Sequence, residues 1–222
     1  MHDRLKGAPV VEELRDYLPQ RAYLEQFRQQ DSWYTHGQFD AHGASHQARV
    51  LILANLGLGI FSKKIGVNFP KTIREAVSWA AVTHDTQIKS KRYVDYETHG
   101  QDAVDWVGEN LYGRMDPEVL VLTQYYCYHH VTEDKNINKR EDALVLTGLL
   151  IFKDADALDR VRFRVYNIGA RLDHVLLRFP FIKESLLPVS RELFRRTGDK
   201  KMPCDQAFDL VFAAAADMGI VK

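Results

Sequence analysis

Apolar residues return every three or four positions along almost all of this 222-residue chain, and no sustained two-residue alternation replaces that rhythm. A chain with only the helical period buries its apolar stripes by packing helix on helix. Behind Pro9, the residues Val10, Val11, Leu14, Leu18, Tyr23 and Phe27 share one broad face, which predicts a helix from Val10 to Gln30. A second helix is expected from Ala44 to Ser62, with His46, Val50, Leu53 and Leu56 along one side. It should stop near Gly66. Pro70 opens a third, from Lys71 to about Asp85, with Ile73, Val77, Ala80, Ala81 and His84 at helical spacing.

Further helices are expected from Glu97 to Leu111, from Asp116-Pro117-Glu118 to about His130, and from Glu141 to about Val165. Asp116-Pro117-Glu118 is a strong start signal, with a cap acceptor, a proline and an acid in order. Three more follow, around Asp173, from Pro180 to Arg196 and from Asp205 to Met218. The expectation is one all-α domain, residues 1–222, with its core motifs in 42–165 and C-terminal helices 166–222 packed on them.

Hydrophobic residues make up 45% of the chain and charged residues 27%, which suits a folded globular protein. Lys plus Arg and Asp plus Glu are both 30, so the net charge is zero. That balance argues against an extended nucleic-acid surface, which needs a basic excess. The uncharged apolar stretch from Val50 to Ser62 is too short to span a membrane, which takes roughly 20 apolar residues. Met1-His2-Asp3-Arg4-Leu5-Lys6 has no apolar signal core, and Cys127 and Cys204 show no disulfide framework, so the chain reads as cytoplasmic.

Seven of the nine histidines lie between His36 and His130, including the pairs His84-Asp85 and His129-His130. Imidazole nitrogen and carboxylate oxygen together suit borderline or hard divalent ions. His46, His84 with Asp85, and Asp156 fall on three separate expected helices. A bundle can aim such side chains at a common centre in its core.

Three segments share an order with a known family. They are His42-Gly43-Ala44-Ser45-His46-Gln47-Ala48-Arg49-Val50 (H-G-x-x-H-x-x-R-V), Ala80-Ala81-Val82-Thr83-His84-Asp85, and Asp154-Ala155-Asp156-Ala157-Leu158-Asp159-Arg160 (D-A-D-x-L-D-R). Together they span about half the chain, and the pattern resembles the HD superfamily of metal-dependent phosphohydrolases. The resemblance implies an HD-domain helical bundle in which His46, His84, Asp85 and Asp156 hold one divalent ion (Mn, Fe, Ni, Co or Mg). Asp154 competes with Asp156 for the last place. It further implies a second ion on His99, His129 and His130, with Asp85 as the bridge.

The implied activity is hydrolysis of a small phosphorylated substrate, a nucleotide or other phosphoester, by metal-activated water that Asp85 would orient. Lys89 and Arg92 in the loop after the metal pair, and Arg160 one turn beyond Asp156, are the cations placed to hold phosphate. Arg49 suits a substrate phosphate or a buried carboxylate equally. His42 suits a helix cap or a hydrogen bond to a ligand. Tyr125, Tyr126, Tyr128, Trp33 and Tyr34 are candidates for core and pocket wall. The sequence departs from the two-metal subfamilies after His130, where Val-Thr-Glu-Asp replaces Gly-Tyr-Pro, and after Asp85, where Thr86-Gln87-Ile88-Lys89 replaces Ile-Gly-Lys. The same ligand set would serve a di-iron oxygenase, or a non-catalytic module that binds a nucleotide or a partner. A homodimer stays open.

Overall fold

The computed structural model describes residues 15–38, 42–89, 98–137, 142–161, 177–199 and 201–222. They form eight α-helices and no strand: α1 (Arg21–Leu24), α2 (Ala44–Ile65), α3 (Lys71–Thr83), α4 (His99–Asn110), α5 (Pro117–His129), α6 (Ala143–Asp159), α7 (Pro180–Thr197) and α8 (Cys204–Asp217). The all-α expectation holds. The helix expected around Asp173 lies outside the described residues.

Local chemistry sets the helix ends. The Asp116 carboxylate accepts the Glu118 backbone N–H at 2.9 Å, with Pro117 in the first turn of α5. Asp142 accepts the N–H of Leu144 at 2.7 Å and starts α6 in the same way. Gly66 closes α2 in the left-handed conformation, φ 76°, where a side chain would be strained.

One expectation fails here. Arg15–Phe27 is not a long helix but a run of short turns, the 3₁₀ segments Arg15–Tyr17 and Glu25–Phe27 on either side of α1. Pro19 explains the break: it has no N–H to donate, and it disfavours helical backbone at Leu18.

Helix α2 is buried on every side from Ala44 to Leu56 and forms the axis of the bundle. Helices α3, α6, α7 and α8 pack around it; α5 lies against α3, and α4 against α5. One apolar core runs from Leu24 and Phe27 through Val50, Leu53, Val77 and Phe152 to Phe208 and Phe212. No helix among the described residues is long and apolar enough to cross a membrane. Both cysteines are buried and unpaired.

Five helix ends meet at one place. His46 sits in the first turn of α2, His84 just past the end of α3, His99 at the start of α4 and His130 just past the end of α5. Asp156 comes from the last turn of α6.

Candidate metal centre

Asp85 lies at the middle of the cluster, and its two oxygens face different partners. Oδ2 is 2.8 Å from His42 Nδ1, 3.3 Å from His46 Nε2 and 3.4 Å from His84 Nε2. Oδ1 is 3.5 Å from His99 Nε2 and 3.8 Å from His130 Nε2. On the first side Asp156 Oδ1 completes the group, 3.4 Å from His46 Nε2 and 3.8 Å from His84 Nε2. On the second side, the Nε2 atoms of His99 and His130 are 2.9 Å apart.

These separations suit donors that share an ion. Two ligand atoms each about 2.1 Å from a cation sit roughly 3.0–3.4 Å apart at right or tetrahedral angles. The Nε2 atom of His84 is buried and makes no hydrogen bond among the described residues. An orphaned buried nitrogen is costly in a protein and natural in a metal site. The chemistry and spacing of the donors therefore fit a divalent ion, and three overlapping groups have ligand atoms close enough to hold one: His42–His46–Asp85, His46–His84–Asp156 and His84–Asp85–His130.

The far side of each ring is anchored. His84 Nδ1 lies 3.2 Å from the Ala80 carbonyl and His130 Nδ1 2.5 Å from the Cys127 carbonyl, so each Nδ1–H donates and each Nε2 faces inward. His46 Nδ1 donates to Asp159 Oδ2 at 2.8 Å. Asp159 in turn accepts Arg49 Nε at 2.7 Å and Nη2 at 3.0 Å. The same guanidinium reaches Asp199 Oδ1 at 2.5 Å and the Gly198 carbonyl at 2.6 Å, beyond the end of α7. Arg49 thus pairs with buried carboxylates and is itself fully buried, which settles its two readings in favour of the structural one.

Electrostatics differ between the two sides. Burial alone favours neutral His84, but the Asp85 and Asp156 carboxylates outweigh it and raise its pKa to about 10. Burial lowers His130 to about 4 against the hydrogen-bonding pull of Asp85. Burial would also raise Asp85 and Asp156; the facing imidazoles, with Arg160 beside Asp156, hold both well below the usual carboxylate range instead.

Of the residues expected at the site, His46, His84, Asp85, Asp156, His99 and His130 come together. His129 does not. Its ring packs on Tyr125 and Tyr128, with centroids 4.5 and 4.9 Å away, and Nδ1 lies 3.3 Å from Thr132 Oγ1. Neighbouring helical residues point about 100° apart, and His130 takes the inward direction. Asp154 also faces away: it accepts the backbone N–H groups of Arg178 and Phe179, just before α7. Arg160 Nη2 is 3.6 Å from Asp156 Oδ2 and a third exposed, at the rim. Lys89 is turned to Asp102 Oδ1 at 2.8 Å. Arg92 lies outside the described residues.

Trp33 and Tyr34 are buried rather than at a pocket mouth. Trp33 packs at a tilt against Trp79 and Trp106, and the Tyr34 hydroxyl meets Gln29 and Gln47. Tyr126 is core, its hydroxyl donating to the Val145 carbonyl. Sequence reasoning missed the roles of Asp159 and Asp199. Asp159 had one signal, its place three residues after Asp156 on the same helix, whereas Asp199 had none.

Comparison with protein-family models, curated proteins and solved structures finds no match to this chain.

Proposed function

We propose that this chain is a metal-dependent phosphohydrolase acting on a nucleotide or another small phosphoester. The observation that supports it best is the two-sided Asp85, with Oδ2 among His42, His46 and His84 and Oδ1 opposite His99 and His130. A carboxylate addressed on both oxygens suits a bridge between two ions about 3.5–4 Å apart, the spacing that clamps attacking and leaving oxygens in a phosphoester displacement. His46, His84, Asp85 and Asp156 would hold the first ion, and Asp85, His99 and His130 the second. When bound, the ions supply Lewis acidity, which lowers the pKa of water toward neutrality and offsets phosphoryl charge. The order of the three motifs, with its resemblance to the HD superfamily, favours the same reading.

The chain's own residues orient and exclude. Asp159 and the carbonyls of Ala80 and Cys127 fix three imidazoles with Nε2 inward. His42 donates to Asp85 and holds its carboxylate in place. Arg160, a partly exposed cation beside a cluster carboxylate, offers a planar fork to non-bridging phosphate oxygens.

The test begins with elemental analysis of protein purified without chelator, then assays a panel of nucleotides and phosphomonoesters with Mn, Co and Ni. His84→Ala and Asp85→Asn should each abolish turnover while the far-ultraviolet circular dichroism stays unchanged. Full turnover in either variant overturns the proposal. Two irons with oxygen-dependent substrate cleavage would replace hydrolysis by oxygenase chemistry on the same ligands.

A further inference from the structure

Lys153 is the only lysine buried among the described residues, and its surroundings are specific. Its Nζ donates to the Thr132 carbonyl, lies 3.3 Å from the His129 carbonyl and pairs with Asp134 Oδ1 at 2.9 Å. An ammonium group has three N–H donors, and these three acceptors use all of them. No donor is left over for a substrate phosphate, so a role must be sought in what the three contacts hold.

They hold His130. The two carbonyls belong to residues 129 and 132, on either side of the imidazole, where α5 ends and its last carbonyls lack helical partners. A cation there also meets the negative end of the helix dipole. Asp134 carries the fastening onward to Arg178 Nε at 2.7 Å, and Arg178 Nη1 reaches Asp154 Oδ1 at 3.0 Å at the start of α7. Two cations and two carboxylates thus alternate in one chain of contacts, and the buried charge is balanced. Lys153 also stands one helical turn before Asp156 on α6, so the helix presenting Asp156 to one side of the cluster grips the turn presenting His130 to the other.

We propose that Lys153 is a positioning residue for the second ion: by gripping the turn around His130 it sets the affinity of the His99–His130 side and leaves the His46–His84 side little affected. This rests on the two-ion reading above.

The experiment is calorimetric titration of chelator-treated full-length protein with Mn²⁺. Wild type should take up two ions. Lys153→Met should weaken the second by about 10–100-fold, the usual effect of losing an outer-sphere partner, and leave the first within about threefold. Asp134→Ala, which removes the surface anchor and spares the buried lysine, should move the second affinity in the same direction by less, and it covers the case in which Lys153→Met does not fold. A merely structural lysine would weaken both ions alike; that result, or no change in either variant, overturns the inference while leaving two ions in place. A single ion in wild type overturns the two-ion reading and this inference with it.

Discussion

The Nδ1 atom of His46 lies 2.8 Å from Oδ2 of Asp159, and both groups are fully buried. The carboxylate fixes the ring's tautomer and orientation, leaving Nε2 turned toward Asp85 and Asp156. Asp159→Asn keeps the shape and an acceptor oxygen but removes the charge. Metal titration should show the first ion bound about tenfold or more weakly, with the second little changed. Unaltered affinity for the first ion would leave Asp159 as packing alone.

Arg49 joins the same carboxylate to Asp199 and the turn after α7. Removing one partner of a buried ionic cluster leaves uncompensated charge, which costs about 3–5 kcal/mol. Arg49→Leu should lose about that much in chemical denaturation, with the loss much reduced when Asp199→Asn is added. A single variant as stable as wild type would mean the network adds nothing to folding.

Gly100 lets the start of α4 meet the end of α5. A Cβ there would stand 3.0 Å from the Tyr128 carbonyl oxygen and 3.1 Å from that of Cys127. Both obstacles are backbone, so Gly100→Ala must push the helices apart, at about 1–3 kcal/mol. Because His99 adjoins Gly100 and His130 follows that α5 turn, the second ion should be weakened before the first. Equal affinities in variant and wild type, read by the same titration, would contradict this.

In ion-free protein the His84 pKa of about 10 means that a proton occupies this ring at neutral pH, and an ion must displace it. Apparent affinity for the first ion should therefore rise about tenfold per unit between pH 6 and 8. His130, lowered to about 4, is already neutral there and adds no such slope. Calorimetry in buffers of different ionisation enthalpy should find about one proton released with the first ion. A flat pH profile would show that His84 is not protonated. The same shift acts on folding. A raised histidine stabilises the ion-free protein fully below about pH 6.5, and that contribution is lost as pH climbs toward 10.

The bundle and the residues nearest Asp85 were readable along the chain because the signals are local: a helical period, cap residues, and short strings around His46, His84-Asp85 and Asp156. The sequence favours Asp156 over Asp154 only through the resemblance of its motif, and the helical period alone does not separate them. Two positions apart on α6 they point about 200° apart, and only the packing tells which side faces the cluster. His129 and His130 posed the same problem one residue apart. Asp199 and the grip of Lys153 left no trace in the sequence, since their partners lie 150 and 21 residues away along the chain. The break at Pro19 was a missed local signal, overridden by a persuasive apolar face from Val10 to Phe27.

The two thiols have a practical bearing on all of these titrations. Burial disfavours the thiolate at both, raising Cys127 to about 12 and Cys204 as well, and neither is exposed to oxidants or alkylating agents in the folded chain. Folded protein can therefore be handled without thiol reductants, which themselves chelate soft and borderline cations, and rapid labelling of either cysteine would report that the bundle has opened.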